Sequence, residues 1–278
     1  MKLRVLMLTY CRPGYTKLSL GRLCDTVPEY GRITVWDNNS GPAMRKVLQD
    51  FEGHPRIETI IYNSSNQRLR KPTNQFWYES SDADFLSKVD DDCLVSPGWC
   101  ETLIQAHNDI PEAGILGCWR FFDEDFDFAL ASRKIQAFGN HRIMRNCWVE
   151  GSGYIAKREV FDHLGGMHRK ESFTQWCIRA AARGYVNGWY YPFLFQEHLD
   201  DPRGPHSGMR SEEDFRRLRP LSASTFKLKN LNEWVSWLQR DARHLQRSSF
   251  NPKDHLGWRA RARRKLSRLL RRDLTPGV

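Results

Sequence analysis

Apolar positions in the first hundred residues fall into short runs closed by polar turns, and these runs alternate with stretches of helical spacing. Residues 4–10 (RVLMLTY) make the first run, which stops at Arg12-Pro13-Gly14 before a helical stretch over 15–24. Residues 32–36 make the second and end in Asp37-Asn38-Asn39-Ser40-Gly41, a string of turn formers. The third, 57–62, is followed by Asn63, and the fourth, 85–89, by Asp90. Strands that alternate with helices predict a parallel, doubly wound α/β sheet, and such sheets bind ligands outside the C-terminal ends of their strands. Thr9, Asp37, Asn63 and Asp90 stand at those four ends, so the pattern predicts that they share one edge.

The fourth run carries the densest chemistry. Asp90, Asp91 and Asp92 follow it directly, and Cys93-Leu94-Val95 then leads to a Ser96-Pro97 helix start. Three adjacent carboxylates repel one another, and a cation between a strand and a helix relieves that repulsion. Hard oxygen donors suit Mg2+ or Mn2+ better than Zn2+. A solvated acidic turn is the plain alternative.

In order and spacing, LTYCRPGY, VWDNNSG, NSSNQRLRKPTN and DADFLSKVDDDCLVSPGW resemble the family 2 glycosyltransferases of the GT-A fold, over roughly residues 3–200. That resemblance implies transfer of a sugar from a nucleotide-sugar donor to a hydroxyl of a glycan or glycolipid, of the cell-surface polysaccharide or lipopolysaccharide kind. It implies a Rossmann-like catalytic domain over 1–210, with a nucleotide-binding half to about residue 97 and an acceptor half from 98, then a helical extension over 211–250. Thr9, Tyr10, Arg12, Asp37 and Asn63 would line the donor site. Asp90 and Asp92 would form the DxD pair, with Asp91 between them, and Arg70, Lys71 and Arg203 would meet the phosphates. A divalent cation, Mn2+ or Mg2+, would sit on Asp92, His198 and Asp90, because a His after the last core strand often completes such a site. Asn74 matches an Asn the family carries before the helix that leads to the DxD strand.

On the acceptor side, residues 148–161 and Leu164-Gly165-Gly166-Met167 resemble the small-residue strand and helix of that family, and Arg179 and Gly184-Tyr185 match its later part. The acidic pair expected between them is missing: Ser172 and Phe173 stand in its place, with Glu171 displaced by about one residue. Glu171 is therefore the first expectation for the general base and Glu150 the second. An inverting single displacement is the expected stereochemistry. The loop after His198, which holds Arg203, His206 and Arg210, is expected to close over the diphosphate.

Charge separates the last segment from the rest. Residues 255–278 carry eight Lys or Arg against one Asp, most of the net +10. Within 251–278, Trp258, Ala262, Leu266, Leu269 and Leu270 recur at helical spacing among arginines, which predicts a basic amphipathic helix. It could pack on its own domain, reach nucleic acid or lie on an anionic membrane. The resemblance favours the membrane, and the acidic cluster speaks against a nucleic-acid groove. Seven Cys with no CxxC pair indicate neither a zinc framework nor a redox motif, and no run reaches the roughly 18 apolar residues of a spanning helix. A cytoplasmic enzyme, peripheral on the inner membrane face, is expected. Self-association is left open. Two other readings are a nucleotidyltransferase on the same metal site and a non-enzymatic basic protein that binds nucleic acid.

Overall fold

The computed structural model describes residues 1–257. The strands are β1 (Leu3–Thr9), β2 (Gly31–Asp37), β3 (Ile57–Tyr62), β4 (Phe85–Asp90), β5 (Cys93–Val95), β6 (Ala113–Gly117), β7 (Ile135–Phe138), β8 (His141–Asn146), β9 (Tyr154–Lys157), β10 (Val186–Tyr191) and β11 (Gln196–His198). The helices are α1 (Pro13–Thr26), α2 (Pro42–Gln49), α3 (Arg70–Glu79), α4 (Trp99–Asp109), α5 (Phe128–Ala131), α6 (Arg158–Leu164), α7 (Phe173–Ala181), α8 (Glu212–Leu218), α9 (Leu221–Thr225) and α10 (Leu231–Arg247).

Nine strands form one sheet in the order β3-β2-β1-β4-β9-β6-β10-β8-β7, while β5 and β11 pair separately at the C-terminal edge. The first four are parallel. Only β9 and β8 run against the rest, so the sheet is mostly parallel, as the alternating pattern predicts. Apolar runs such as LRVLMLT form strands here because both faces of the sheet are covered, and every position of β1 except Arg4 is buried. One layer packs α1, α2 and α4 on the sheet through residues such as Leu20, Met44 and Leu103. The opposite layer sets Trp77, Phe161 and Trp176 against it, with the Trp77 and Trp176 rings 4.6 Å apart.

The helical extension is packed into this body. Ala242 and Leu245 of α10 belong to the second layer, and Trp234 and Leu238 close a smaller cluster with Met209 and Phe215. Trp234 Nε1 donates to the Asp200 carbonyl at 2.6 Å, which ties α10 to the loop beyond β11. Of the predicted basic helix, Trp258 and everything after it lie outside the described residues. Among the described residues no helix is long and apolar enough to cross a membrane.

Candidate active site

Parallel register builds the site's floor. Thr9 pairs with Asp37 and Leu8 with Asp90, so the ends of β1, β2 and β4 meet, and the Asn63 N–H donates to the Asp37 carbonyl at 3.0 Å. Thr9 Oγ1 donates to Asp37 Oδ1 at 3.0 Å, and the Ser40 hydroxyl and N–H also reach that buried carboxylate. Asp37 is thereby fixed at the strand edge. Tyr10 is half exposed beside it.

The Asp triplet splits into three environments. Asp90 is paired with the Lys88 ammonium, two residues back on the same face of β4. Asp91 turns inward, accepting from the Tyr10 N–H at 3.0 Å and from Thr16 Oγ1 at 3.2 Å. Burial and the neighbouring Asp92 push its carboxyl up to about 8. Asp92 faces out: Arg12 Nη1 lies 3.2 Å from Oδ2, and His198 Nε2 lies 4.0 Å from Oδ1. The pairing of β11 with β5 sets His198 opposite Cys93 and so brings the imidazole to Asp92. Burial raises the Asp92 carboxyl, but His198 and Arg12 outweigh it and hold the group below its ordinary value.

Asp92, Cys93 and His198 are the one cluster among the described residues whose donor atoms lie within 4.8 Å of one another. Burial beside carboxylates pushes the Cys93 thiol far up, so it remains a thiol and donates to Asp92 Oδ1 at 3.4 Å. What remains is one carboxylate and one imidazole, a donor set that suits Mn2+ or Mg2+ sharing further oxygen ligands with a diphosphate. Asp90, expected as a third ligand, falls outside the cluster because Lys88 holds it.

Five other residues expected at the site have partners within the protein. The Arg203 guanidinium, expected at a phosphate, is taken up by buried Asp125 and Asp201 and lies over the Phe122 ring. Arg70 donates to backbone carbonyls of Glu171 and Arg169, while Lys71 donates to Gln67 Oε1 at 2.8 Å. Asp91 serves α1 rather than the cleft. Glu171 is clasped by Arg179 at 2.9 and 2.7 Å and accepts from the His168 N–H. Although burial raises its carboxyl, Arg179 and that N–H pull it below the ordinary value. The loop after β11 is braced as well, with His206 on Glu197 and Arg210 on the carbonyls of Pro202, Gly204 and Pro205.

Glu150 has the opposite character. It lies in the loop between β8 and β9, accepting from Trp189 Nε1 at 2.7 Å, with Arg120 Nε 3.7 Å from its other oxygen. Burial raises its carboxyl above the ordinary value, against the pull of Arg120 and Trp189. Two cavities meet at this pair. A smaller one of about 170 Å³ is lined by Asp90, Cys93, Gln196 and His198 as well as Glu150 and Arg120. A larger one of about 470 Å³ shares those two residues and is lined as well by Trp148, Phe173, Asp241 and His244. Glu171 lines neither.

Sequence reasoning did not find Asp200, Arg120 or Asp241. Asp200 accepts from Arg12 Nη1 at 2.8 Å and is buried, while Asp241 accepts from Arg120 Nη2 at 2.8 Å. Each becomes meaningful only through a partner more than a hundred residues away. The Asp200-Asp201 pair, directly after His198-Leu199, was the one local signal.

The family model for "Glycosyl transferase family 2" matches residues 5–165. The chain belongs to that family. It is a glycosyltransferase of the GT-A type, which sets aside the nucleotidyltransferase and nucleic-acid-binding readings. The glycosyltransferase is 28% identical over 180 residues to a glucosyl-dolichyl phosphate glucuronosyltransferase of Haloferax volcanii, an alignment that takes in 60% of this chain. It spans just over half the length of that relative (56%). In fold it is similar to the mannosyltransferase PcManGT of Pyrobaculum calidifontis, solved with GDP-Man and Mn2+, at a TM-score of 0.59 and 15% identity over 97% of this chain and 80% of that one. It is also similar to residues 1–349 of TarS from S. aureus, solved with UDP-GlcNAc, at a TM-score of 0.54 and 15% identity over 89% and 74% of the two chains.

Proposed function

We propose that this glycosyltransferase moves a sugar from a nucleotide-sugar donor to a hydroxyl of a glycan or glycolipid, with inversion, and depends on a divalent cation held through Asp92 and His198. The arrangement that carries this reading is the position of Glu150, on the wall shared by the cavity that contains His198 and the larger one beyond it. A base there stands between a donor held at the strand ends and an acceptor on the other side.

Thr9, Asp37 and Asn63 hold the nucleoside at the edge of β1 to β3, and Arg12 lies toward the diphosphate beside Asp92. A bound Mn2+ or Mg2+ supplies stabilisation of the negative charge that builds on the leaving diphosphate, without proton transfer. Glu150 takes the proton of the acceptor hydroxyl. The acceptor oxygen bonds to the anomeric carbon as the bond from that carbon to the diphosphate oxygen breaks, the electron pair leaving with the nucleoside diphosphate. A carboxyl raised by burial holds that proton better than an ordinary one, and Trp189 and Arg120 fix the direction in which Glu150 points. Glu171, tied to Arg179, holds the start of α7 in place. Residues 1–210 are the catalytic domain in this reading, 211–250 an extension that completes the acceptor side, and 251–278 a basic segment that docks on an anionic membrane at its cytoplasmic face.

A screen of nucleotide sugars for Mn2+-dependent donor hydrolysis tests the reading. One donor hydrolysed well above the rest supports it; a flat response to every common donor, with and without metal, overturns it.

A further inference from the structure

The larger cavity has an unusual origin. One wall comes from Trp148 and Gly151 in the β8–β9 loop and a second from Phe173 and Thr174 at the start of α7, but the third is Asp241, His244 and Leu245 of α10. That helix lies beyond the stretch matched by the family model, which ends at residue 165. Whatever occupies this space is therefore met partly by residues outside the matched stretch.

The chemistry of the lining narrows the occupant. Trp148 is partly exposed and carries the His255 ring edge-on at 5.1 Å, with His244 tilted against it at 6.4 Å. Around these rings stand hydrogen-bonding groups, and ring faces set among a few polar groups suit a body with apolar faces and hydroxyl edges. Among the described residues the one guanidinium lining the cavity is Arg120. It is already bound by Asp241 at 2.8 Å and faced by Glu150 at 3.7 Å, so two carboxylates stand against one cation. A phosphate entering here would meet net negative charge and leave Arg120 to be shared three ways, a repulsive element that rejects it.

We propose that this cavity is the acceptor site, that it takes an uncharged saccharide packed on Trp148 and held by Asp241 and His244 of α10, and that a lipid phosphate is refused as acceptor. The volume of about 470 Å³ has room for more than one sugar ring, so the acceptor is a saccharide presenting a hydroxyl toward Glu150. The inference rests on the reading above, in which Glu150 is the base. Asp241 acts as a specificity residue because it occupies Arg120.

The experiment uses the full chain with its best donor, offered a panel of neutral mono- and disaccharide glycosides and, separately, polyprenyl phosphate. Transfer to a neutral glycoside and none to polyprenyl phosphate is expected. Trp148→Ala raises the acceptor KM about tenfold or more beyond any change in donor KM, and Trp148→Phe recovers most of it. Asp241→Asn narrows the preference for neutral over phosphorylated acceptors, since it frees Arg120 for an anion; a purely structural aspartate would lower all acceptors alike. Transfer to polyprenyl phosphate with neutral glycosides inert overturns the proposal, as does donor hydrolysis with every glycoside refused, or an acceptor KM that ignores Trp148→Ala. Absence of hydrolysis with any donor would instead remove the transferase reading on which the inference stands.

Discussion

Arg12 faces Asp92 across 3.2 Å, and the same guanidinium nitrogen lies 2.8 Å from Asp200. Arg12 Nη2 also donates to the Leu218 carbonyl at the end of α8, so one residue at the start of α1 joins the strand edge, the loop after β11 and the C-terminal extension. Asp200, buried and raised by burial with Asp92 adding to the rise, depends on that cation. The guanidinium itself stays charged, since the two carboxylates overcome the opposing effect of its burial.

Removing the guanidinium should therefore leave Asp200 without its ion-pair partner, while Asp92 still faces His198. Arg12→Ala is expected to cost about 3–5 kcal/mol of stability, the usual penalty for breaking a buried pair. Added Mn2+ should restore part of it, because binding to the folded state stabilises it by mass action. Chemical unfolding with and without Mn2+ measures both, and a variant as stable as the parent would show that Asp200 is neutral in the folded protein.

Glu150 and Glu171 should respond differently to the same change. Glu150→Gln is expected to cut the chemical step about a hundredfold or more, the range general bases contribute, with donor KM little altered. Glu171→Gln should cost far less in rate. In the parent, the rate should climb with pH through a value above the ordinary carboxylate range, because burial raises Glu150 and only its deprotonated form accepts the hydroxyl proton. Single-turnover rates for both variants and a pH profile of the parent decide this, and a crippled Glu171→Gln beside a mild Glu150→Gln would exchange the roles.

Glu171 carries a stability signature of its own. Its carboxyl is lowered in the folded protein: burial raises it, but Arg179 and the His168 N–H together outweigh that. The stabilisation is complete above the ordinary Glu value of about 4.3 and is lost as pH falls through the lower folded value. Glu171→Gln should thus lower stability at neutral pH and flatten the acid side of the stability curve. Unfolding midpoints between acid and neutral pH test it; parallel curves for parent and variant would mean that Arg179 does not discriminate the charged form.

A chain ending at Gly257 keeps every described contact and loses the basic segment. It should retain donor hydrolysis and lose sedimentation with vesicles containing anionic lipid, since each basic residue near such a surface contributes about 1 kcal/mol. Full-length protein that ignores those vesicles at low salt would end the membrane assignment.

The strand edge was legible from the sequence because it depends on local pattern: runs of apolar residues, turn formers behind them and polar residues at fixed ends. β3 begins and ends where the pattern places it, at Ile57 and Tyr62. What the sequence hid is pairing at a distance. Nothing near Arg203 shows that Asp125 will fold onto it, so a basic loop residue resembled a phosphate contact. Glu171 stood close to where the family carries its acidic pair, yet Arg179, eight residues on, consumes it. Ser172, which occupies that place, caps α7 in a reciprocal bond with Gln175. Arg120 and Asp241 meet across 121 residues, and only the packing of α10 against the body makes them a site.

In the proposed mechanism Asp92 and His198 hold the cation on which transfer depends, and a Mn2+ titration of donor hydrolysis and of direct metal binding, run on the parent, Asp92→Asn and His198→Ala, decides whether they do. Saturable activation of the parent is expected, with loss of most activity in Asp92→Asn even in saturating metal and a metal requirement about tenfold or more higher in His198→Ala, all three chains remaining folded. Metal-independent hydrolysis by the parent, or three superimposable titrations, would contradict it.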